Sequence, residues 1–119
     1  MSVELKEHAK VFALRVIKSC EALPNSRSGR VIGDQLLRSA TSVAANYRAA
    51  CRGRSKAEFI AKLGVVEEEV DESGFWLDLV VESGLQPRTR VAELRDECEQ
   101  LTRIMAAARI KAKLRTQKA

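Results

Sequence analysis

The sequence predicts an all-α protein, specifically an antiparallel up-down-up-down four-helix bundle. The chain has 119 residues with two prolines and 4% aromatic residues, and such a composition favours helices over a sheet. Apolar residues recur at spacings of three and four along four segments. Short stretches of Pro, Gly, Ser and Asn separate these segments and are typical of turns. The length suits a single domain, residues 1–119, with one hydrophobic core.

The first helix is predicted at about residues 3–21 and the second at about 27–52. Residues 24–29, which begin with Pro24, form the loop between them, since proline disfavours helix in its predecessor. Ser26 and Ser28 are both candidate N-caps for the second helix. The apolar face of the first helix consists of Leu5, Ala9, Phe12, Val16, Ile17 and Cys20, and that of the second of Ile32, Leu36, Ser39, Val43, Asn46 or Tyr47, and Ala50.

The third and fourth helices are predicted at about residues 56–82 and 90–113. Gly53 stands where a residue after a helix end would take a left-handed conformation, and Ser55 followed by Glu58 fits a capping box. Gly84 and Pro87 separate the last two helices, and the final residues, KAKLRTQKA, are predicted to fray. The buried stripes are Phe59, Leu63, Val66, Val70, Ser73, Leu77 and Val80, then Val91, Leu94, Cys98, Leu101, Met105, Ala108 and Ala112.

A second apolar strip is predicted on the third helix, away from its core-facing stripe. It consists of Val65, Phe75, Trp76 and Leu79. At 100° per residue, Phe75 lies nearly opposite the Val66 to Leu77 stripe, so a solitary bundle would leave it in water. Large exposed apolar patches usually mark contact surfaces, and the strip therefore predicts a subunit interface. The alternative is that the first helix or the loop after Gly84 covers these residues within one chain.

Charge is distributed unevenly along the chain, whose formal net charge is +5. Residues 26–54 and 88–119 are strongly basic, whereas residues 55–87 are acidic. An anionic partner such as RNA or DNA is the natural ligand of the basic segments. The candidate nucleic-acid-binding residues are Arg52, Arg54, Lys56, Arg103, Arg109, Lys111, Lys113 and Arg115. The competing interpretation is that many arginines form pairs with carboxylates inside the bundle.

A structural role is predicted for Arg38, Asn46, Arg48 and Glu69. The two arginines lie among small packing residues, where a charge is tolerated if it is paired. We therefore expect them to contact the carboxylates of residues 67–72, with Glu69 as a partner for an Arg or Lys. Asn46 is expected to satisfy backbone or cross-helix polar groups and thereby to specify register.

No enzymatic activity, cofactor or metal is expected. The single histidine, His8, has no evident partner for nucleophile activation, and the acidic cluster lacks the Glu-x-x-His motifs of dimetal bundles. The three cysteines, Cys20, Cys51 and Cys98, are widely spaced and predict reduced thiols rather than disulfides or zinc. We expect a cytoplasmic protein, since no segment predicts a signal peptide or a membrane span.

One long segment resembles a known family. The residues LLRS-x-TSV-x-ANYR-x-ACR-x-RSKAEFI-x-KLG, within positions 36–64, are similar to the four-helix-bundle proteins encoded in intervening sequences of bacterial 23S ribosomal RNA genes. The resemblance extends from Phe12 into the fourth helix. Members commonly have Glu after the Asn-Tyr-Arg triplet and Ala four residues further on, where this chain has Ala49 and Gly53.

The resemblance implies a homopentameric ring of left-handed bundles. A relative of the same fold, the accessory protein of diversity-generating retroelements, is implied to form a basic pentameric barrel that binds a reverse transcriptase and nucleic acid. We therefore predict a non-catalytic oligomer, a homopentamer, that presents basic surfaces to RNA or DNA. The alternative is a protein-interaction scaffold or accessory subunit, for example for a reverse transcriptase, whose charge serves assembly.

Overall fold

The structure is a computed structural model that describes residues 3–118, with the side chains of residues 4–117. Four helices account for nearly all of this range: α1 (Val3–Glu21), α2 (Arg27–Cys51), α3 (Lys56–Glu82) and α4 (Arg88–Lys118). The all-α prediction is confirmed, because the described residues contain no strand. The molecule measures 52 × 21 × 20 Å, which is the shape of long helices lying side by side.

Side-chain caps fix where α2 and α3 begin. Of the two candidate serines, Ser26 caps α2, and its hydroxyl accepts a hydrogen bond from Gly29 N at 3.1 Å. Ser55 caps α3 by accepting from Glu58 N at 3.1 Å. The Glu58 carboxylate in turn accepts from Arg54 N at 2.6 Å. The serine half of the predicted capping box is therefore confirmed, whereas the Glu58 carboxylate accepts from the residue before the cap and not from Ser55 N.

The glycine with a left-handed conformation is Gly84, after α3, and not Gly53, after α2. Gly53 does not adopt a positive φ, so that prediction is wrong; Arg52 and Gly53 instead close the end of α2 with hydrogen bonds to Ala49 O and Ala50 O. Gly84 has φ of 80°. Its N–H donates to Val81 O and the next N–H donates to Val80 O, both at 3.0 Å, which is the Schellman pattern of a helix C-terminus.

Helix α4 is longer than predicted at both ends. It begins at Arg88, directly after Pro87, and continues to Lys118, so the tail predicted to fray is helical up to that residue. Ala119 lies outside the described residues. Its last turns are rich in Ala, Lys, Arg and Leu, which have high helix propensity. Ala112 and Arg115 also line a groove with the turn between α2 and α3.

The core lies between the four helices. Helix α2 packs against α1 and α3, and α4 packs against α3 and α1. Tyr47 is the largest fully buried side chain, whereas Asn46 is half-exposed. Of these two candidates for the apolar face of α2, Tyr47 is therefore the one that faces the core. Ile17 is 37% exposed and lies at the edge of the predicted face of α1. The other predicted stripes are buried or half-buried: Leu5, Ala9, Phe12, Val16, Leu36, Val43, Leu63, Val66, Val70, Leu77, Val80, Val91, Leu94, Cys98, Leu101 and Met105.

Polar contacts inside the core connect neighbouring helices. The hydroxyl oxygens of Ser39 on α2 and Ser73 on α3 lie 3.0 Å apart, and both residues are fully buried. The Cys98 thiol on α4 donates to Val70 O on α3 at 3.2 Å. Buried polar groups of this kind are costly unless paired, so they favour one register of the helices over others.

Candidate nucleic-acid interface

Arg38 is held in a carboxylate network between α2 and α3. Its Nη1 donates to Glu69 Oε2 at 3.1 Å, and its Nη2 donates to the Glu72 carboxylate. Trp76 Nε1 donates to the same Glu72 oxygen at 3.0 Å. The hydrogen bond from the Trp76 indole, and to a smaller extent that from the Arg38 guanidinium, lowers the pKa of Glu72 below its ordinary value. The hydrogen bond to Glu72 in turn raises the pKa of Arg38. Arg38 and Glu69 thus make the predicted pair between α2 and α3, but at the surface, since the Arg38 side chain is 49% exposed.

Other arginines are also paired with carboxylates. Arg109 Nε donates to both carboxylate oxygens of Glu67 at 2.9 Å, and both side chains are about three-quarters buried. This pair joins α4 to α3 and makes Arg109 a poor candidate for a ligand contact. Three further arginines are paired: Arg15 with Glu93 and Glu97, Arg95 with Asp78 and Glu99, and Arg103 with Glu99.

Arg48 does not make the cross-helix ion pair predicted for it, and Asn46 satisfies a backbone group, the first of the two alternatives predicted for it. The Arg48 side chain is exposed and lines a groove between α1 and α2. It forms no ion pair with any described residue. Asn46 Nδ2 donates to Ser42 O and Ser42 Oγ, at 3.0 and 2.8 Å, one turn back on the same helix. The cross-helix polar contact of α2 comes from Ser39 instead.

Three grooves meet at the end of the bundle that carries the turn between α2 and α3. The first, between α1 and α2, is lined by Lys6, Lys10, Arg48 and Arg52 around a floor that includes Ala13, Thr41, Ala44 and Ala45. The second, between α2 and α3, is lined by Arg52, Arg54 and Lys62. The third lies between the turn and α4 and is lined by Arg54, Lys56 and Arg115. Neighbouring grooves share Arg52 and Arg54.

We call these cations the basic end: Lys6, Lys10, Arg48, Arg52, Arg54, Lys56, Lys62 and Arg115. All of them are exposed. Within residues 3–118, none forms an ion pair. Acidic residues are few in the grooves: Glu7 lines the first, and Glu58 in the second caps α3. The basic end therefore concentrates uncompensated positive charge in concave surfaces.

The basic end contains some of the predicted nucleic-acid-binding residues, together with cations that were not predicted. Arg52, Arg54, Lys56 and Arg115 belong to the basic end, while Lys111 and Lys113 are exposed on α4 outside its grooves. Sequence reasoning did not single out Lys6, Lys10 or Lys62. A signal for the first two exists, since Lys6 and Lys10 are one turn apart and share a helix face.

The predicted apolar strip on α3 is only partly exposed. Phe75 is 53% and Val65 39% exposed. Leu79 and Trp76 are half-buried, and Trp76 packs against the core. The Phe75 and Trp76 rings contact edge to face, with centroids 5.0 Å apart and planes at 69°. Trp76 is less exposed than predicted because it packs against the core and its indole donates to Glu72, one turn back on α3.

A further apolar surface on α4 was not predicted. Ile104, Ile110 and Leu114 are 39%, 52% and 51% exposed. They lie away from the buried stripe of α4, among Arg103, Lys111 and Lys113. Ile110 and Leu114 are one turn apart and share a face of α4, whereas Ile104 lies about 80–120° away around the helix. The basic side chains around them favoured the prediction of a purely charged surface.

Of the three cysteines, Cys98 is buried in the apolar core and Cys20 is half-buried against it. Burial raises the pKa of the Cys98 thiol to about 11 and that of the Cys20 thiol to about 11, so both are protonated near neutral pH and are poor nucleophiles. Among residues 3–118, no three His, Cys, Asp or Glu side chains lie close enough to hold a metal ion. None of the helices in this range has an apolar stretch long enough to cross a bilayer.

Comparison with known proteins gives the family. The model of the 23S rRNA-intervening sequence protein family matches residues 1–107. The chain belongs to this family. A solved relative supports the assignment to the 23S rRNA-intervening sequence proteins: a crystal structure of a protein with unknown function from the S23 ribosomal protein family of Bacteroides thetaiotaomicron. The two chains are 28% identical with a TM-score of 0.82, and the match covers 87% of this chain and 96% of the other. No curated protein matches the chain.

Proposed function

We propose that this protein is a non-catalytic bundle that binds RNA or DNA through its basic end. The observation that carries the proposal is the convergence of unpaired cations in joined grooves at one end of the bundle. Five arginines elsewhere on the helices, Arg38 and Arg109 among them, are paired with carboxylates. The cations around the turn between α2 and α3 are exposed, line joined grooves and have no carboxylate partner among the described residues.

Phosphate binding gives this convergence of cations a simple physical explanation. Exposed cations held close together repel one another, and an anionic ligand relieves that repulsion. Neutralising phosphates with Lys and Arg also releases the counterions condensed on a nucleic acid, which makes affinity fall steeply with salt. Arginines such as Arg52 and Arg54 add planar donors that can bind a phosphate with two hydrogen bonds.

We infer that the protein acts without catalysis and in the cytoplasm. Cys20 and Cys98 are protonated by burial, and Cys51 has no histidine beside it in its groove. A thiol without a general base is a weak nucleophile. Free thiols persist in reducing compartments, which supports a cytoplasmic location.

We infer that the helices alternate in direction, up-down-up-down. Arg95, early in α4, contacts Asp78 late in α3, whereas Arg109, late in α4, contacts Glu67 in the first half of α3. The contact of Cys20 Sγ with Gly33 O places the end of α1 near the start of α2. Short connections between long helices are consistent with antiparallel neighbours.

We further propose that copies of the bundle assemble into a homopentamer. The exposed Phe75 is a large apolar side chain on the outer face of α3, and covering it would remove apolar surface from water. Val65 and the half-buried Leu79 belong to the same strip. Five copies of a chain with formal charge +5 would carry +25, and a ring would bring the basic ends close together and strengthen their attraction for a polyanion.

A second candidate function is a protein-interaction scaffold or accessory subunit, for example for a reverse transcriptase. The observation that favours it is the exposed apolar surface of Ile104, Ile110 and Leu114 on α4. An apolar surface with a charged rim is typical of protein contacts. In this case the positive charge would serve assembly rather than nucleic-acid binding.

A salt series separates the two functions. Binding of fluorescein-labelled random RNA and DNA to the full chain is followed by anisotropy between about 50 and about 200 mM salt. We expect affinity to fall steeply over this range, and the double variant Arg54→Glu with Arg115→Glu to weaken binding at least tenfold. Charge reversal of Lys18 and Arg90, which line a groove at the opposite end, is the matched control. Absence of binding at low salt would discard the nucleic-acid function in favour of the scaffold.

A further inference from the structure

The three grooves of the basic end form a continuous path around the bundle. Arg52 lines both the groove between α1 and α2 and the groove between α2 and α3. Arg54 lines the latter and also the groove beside α4. A ligand that follows the cations from Lys10 to Arg115 therefore passes over three helix boundaries and curves around the end of the molecule.

The curvature of this path discriminates between forms of nucleic acid. The bundle is only 21 × 20 Å in cross-section, so the path turns within a distance much shorter than the persistence length of duplex DNA, about 500 Å. A duplex could contact the cations of one groove at a time without bending. A single strand is flexible and can follow all three grooves, neutralising more phosphates per molecule.

The width and lining of the grooves agree with a single extended backbone. Axes of packed helices lie about 8–10 Å apart, so the surface groove along the line where two of them meet is narrow and suits one chain rather than a duplex. In the groove between α1 and α2, Lys6 and Lys10 lie on one side and Arg48 and Arg52 on the other. Each pair is one turn apart, about 6 Å along the helix, so the cations form two parallel rows beside the path.

Recognition along this path is mostly by phosphates and not by bases. The groove between α1 and α2 and the groove between α2 and α3 have no aromatic lining residue, and their floors consist largely of Ala, Thr and Gly. Phe59 is the aromatic residue that lines the groove beside α4. Single strands bound by stacking need a series of aromatic side chains, so the path should tolerate any sequence.

We propose that the basic end binds single-stranded nucleic acid in preference to duplex, with the groove between α1 and α2 as part of the binding site. This inference rests on the proposed function and adds to it the form of the ligand and the roles of Lys6, Lys10 and Arg48. The strand lies along the three grooves with its phosphates between the rows of cations.

The test compares one strand with the duplex of the same sequence. The probes are a labelled oligouridylate of about 16 nucleotides and the same oligomer annealed to oligoadenylate, titrated with the full chain across the salt range. We expect the strand to bind at least tenfold more tightly than the duplex. The variant with Lys6→Gln and Lys10→Gln should weaken strand binding about tenfold and reduce its salt slope by about 1.4, since each single-strand phosphate contact contributes about 0.7.

The matched control is the double variant Lys18→Gln with Arg90→Gln, at the opposite end of the bundle, which should bind the strand as the wild type does. Equal or tighter binding of the duplex, with no effect of Lys6→Gln and Lys10→Gln, would overturn this inference while leaving the proposed function intact. A lower particle mass of that variant in light scattering, with unchanged strand binding, would also overturn it and assign the groove to subunit contact. Failure of both probes to bind at low salt would overturn the proposed function itself.

Discussion

The hydroxyl oxygens of Ser39 on α2 and Ser73 on α3 lie 3.0 Å apart in the fully buried core. Each serine also lies within hydrogen-bond distance of a carbonyl of its own helix, Leu36 O at 3.1 Å and Glu69 O at 2.8 Å. The contact thus links two helices while leaving neither hydroxyl without a partner. Small side chains at this position also allow α2 and α3 to pack closely.

Replacing these serines should reveal a coupling between the two helices. Ser39→Ala and Ser73→Ala should each lower the free energy of unfolding by about 1 kcal/mol, the usual net value of a hydrogen bond. The double variant should lose less than the sum, because the same contact is removed by either change. Urea unfolding followed by circular dichroism measures all three. Additive losses would contradict an energetic link between the hydroxyls.

The Glu72 carboxylate should make the surroundings of Trp76 sensitive to acid. Hydrogen bonds from Trp76 and then Arg38 lower the pKa of Glu72 below its ordinary value of 4.5. The stabilisation is therefore present above pH 4.5 and is lost as the pH falls through the lower pKa of the folded protein. The chain has a single Trp, so its fluorescence should shift in that acidic range while helicity by circular dichroism remains.

Glu72→Gln is the control for this titration. Glutamine can still accept the indole hydrogen bond but does not titrate, so the acidic fluorescence shift should disappear. The exposed Glu68→Gln, which has the same charge change on α3, should leave it in place. An unchanged shift in Glu72→Gln would assign the titration to another group.

Two glycine substitutions should change stability in opposite directions. Gly64 lies inside α3, and a Cβ added there would have no atom within 4 Å, so Gly64→Ala should raise the free energy of unfolding by about 0.5–1 kcal/mol. A Cβ added to Gly29 would lie 2.2 Å from Pro24 O. Gly29→Ala should therefore destabilise the protein, because the loop before α2 must move. Thermal unfolding compares the two, and stabilisation by both would contradict the close approach at Gly29.

The outer face of α3 should control particle size. Phe75→Asp places a charge where a large apolar ring is exposed, and it should yield smaller particles in light scattering because a subunit contact cannot bury an unpaired carboxylate cheaply. Val31→Asp, at another exposed apolar position, is the matched control. Helicity by circular dichroism must be unchanged in both. A wild-type mass for Phe75→Asp would exclude this face from the interface.

Much of the secondary structure was predictable, because it depends on local rules. Apolar spacing gave the buried stripes of α3 and α4, and the capping box at Ser55 and Glu58 gave the start of α3. The predictions that were wrong concern helix ends, where contacts beyond the local sequence decide the conformation. The last turns of α4 are helical beside the turn between α2 and α3, and the end of α2 closes without a left-handed glycine because Arg52 and Gly53 make tight hydrogen bonds to the last turn.

The candidate site was predictable only in its composition. Counting charges identified basic segments but could not separate Arg109, which is paired with Glu67, from Arg115, which lines a groove. It also assigned Arg48 to an internal pair that does not form with any described carboxylate, and it passed over Lys6 and Lys10. Ion pairing depends on the distances between side chains on different helices, and counting charged residues along the sequence does not provide these distances.

The amino-acid order therefore determined four helices and their buried faces, because hydrogen bonds one turn apart and the periodic burial of apolar side chains operate within each segment. The packing of the helices decided which charges neutralise one another. Arg38 and Arg109 lie opposite carboxylates, whereas the cations near Arg52 and Arg54 converge at one end without an ion pair to any described residue. Electrostatic interaction depends on separation in space, and so the site was set by the tertiary structure.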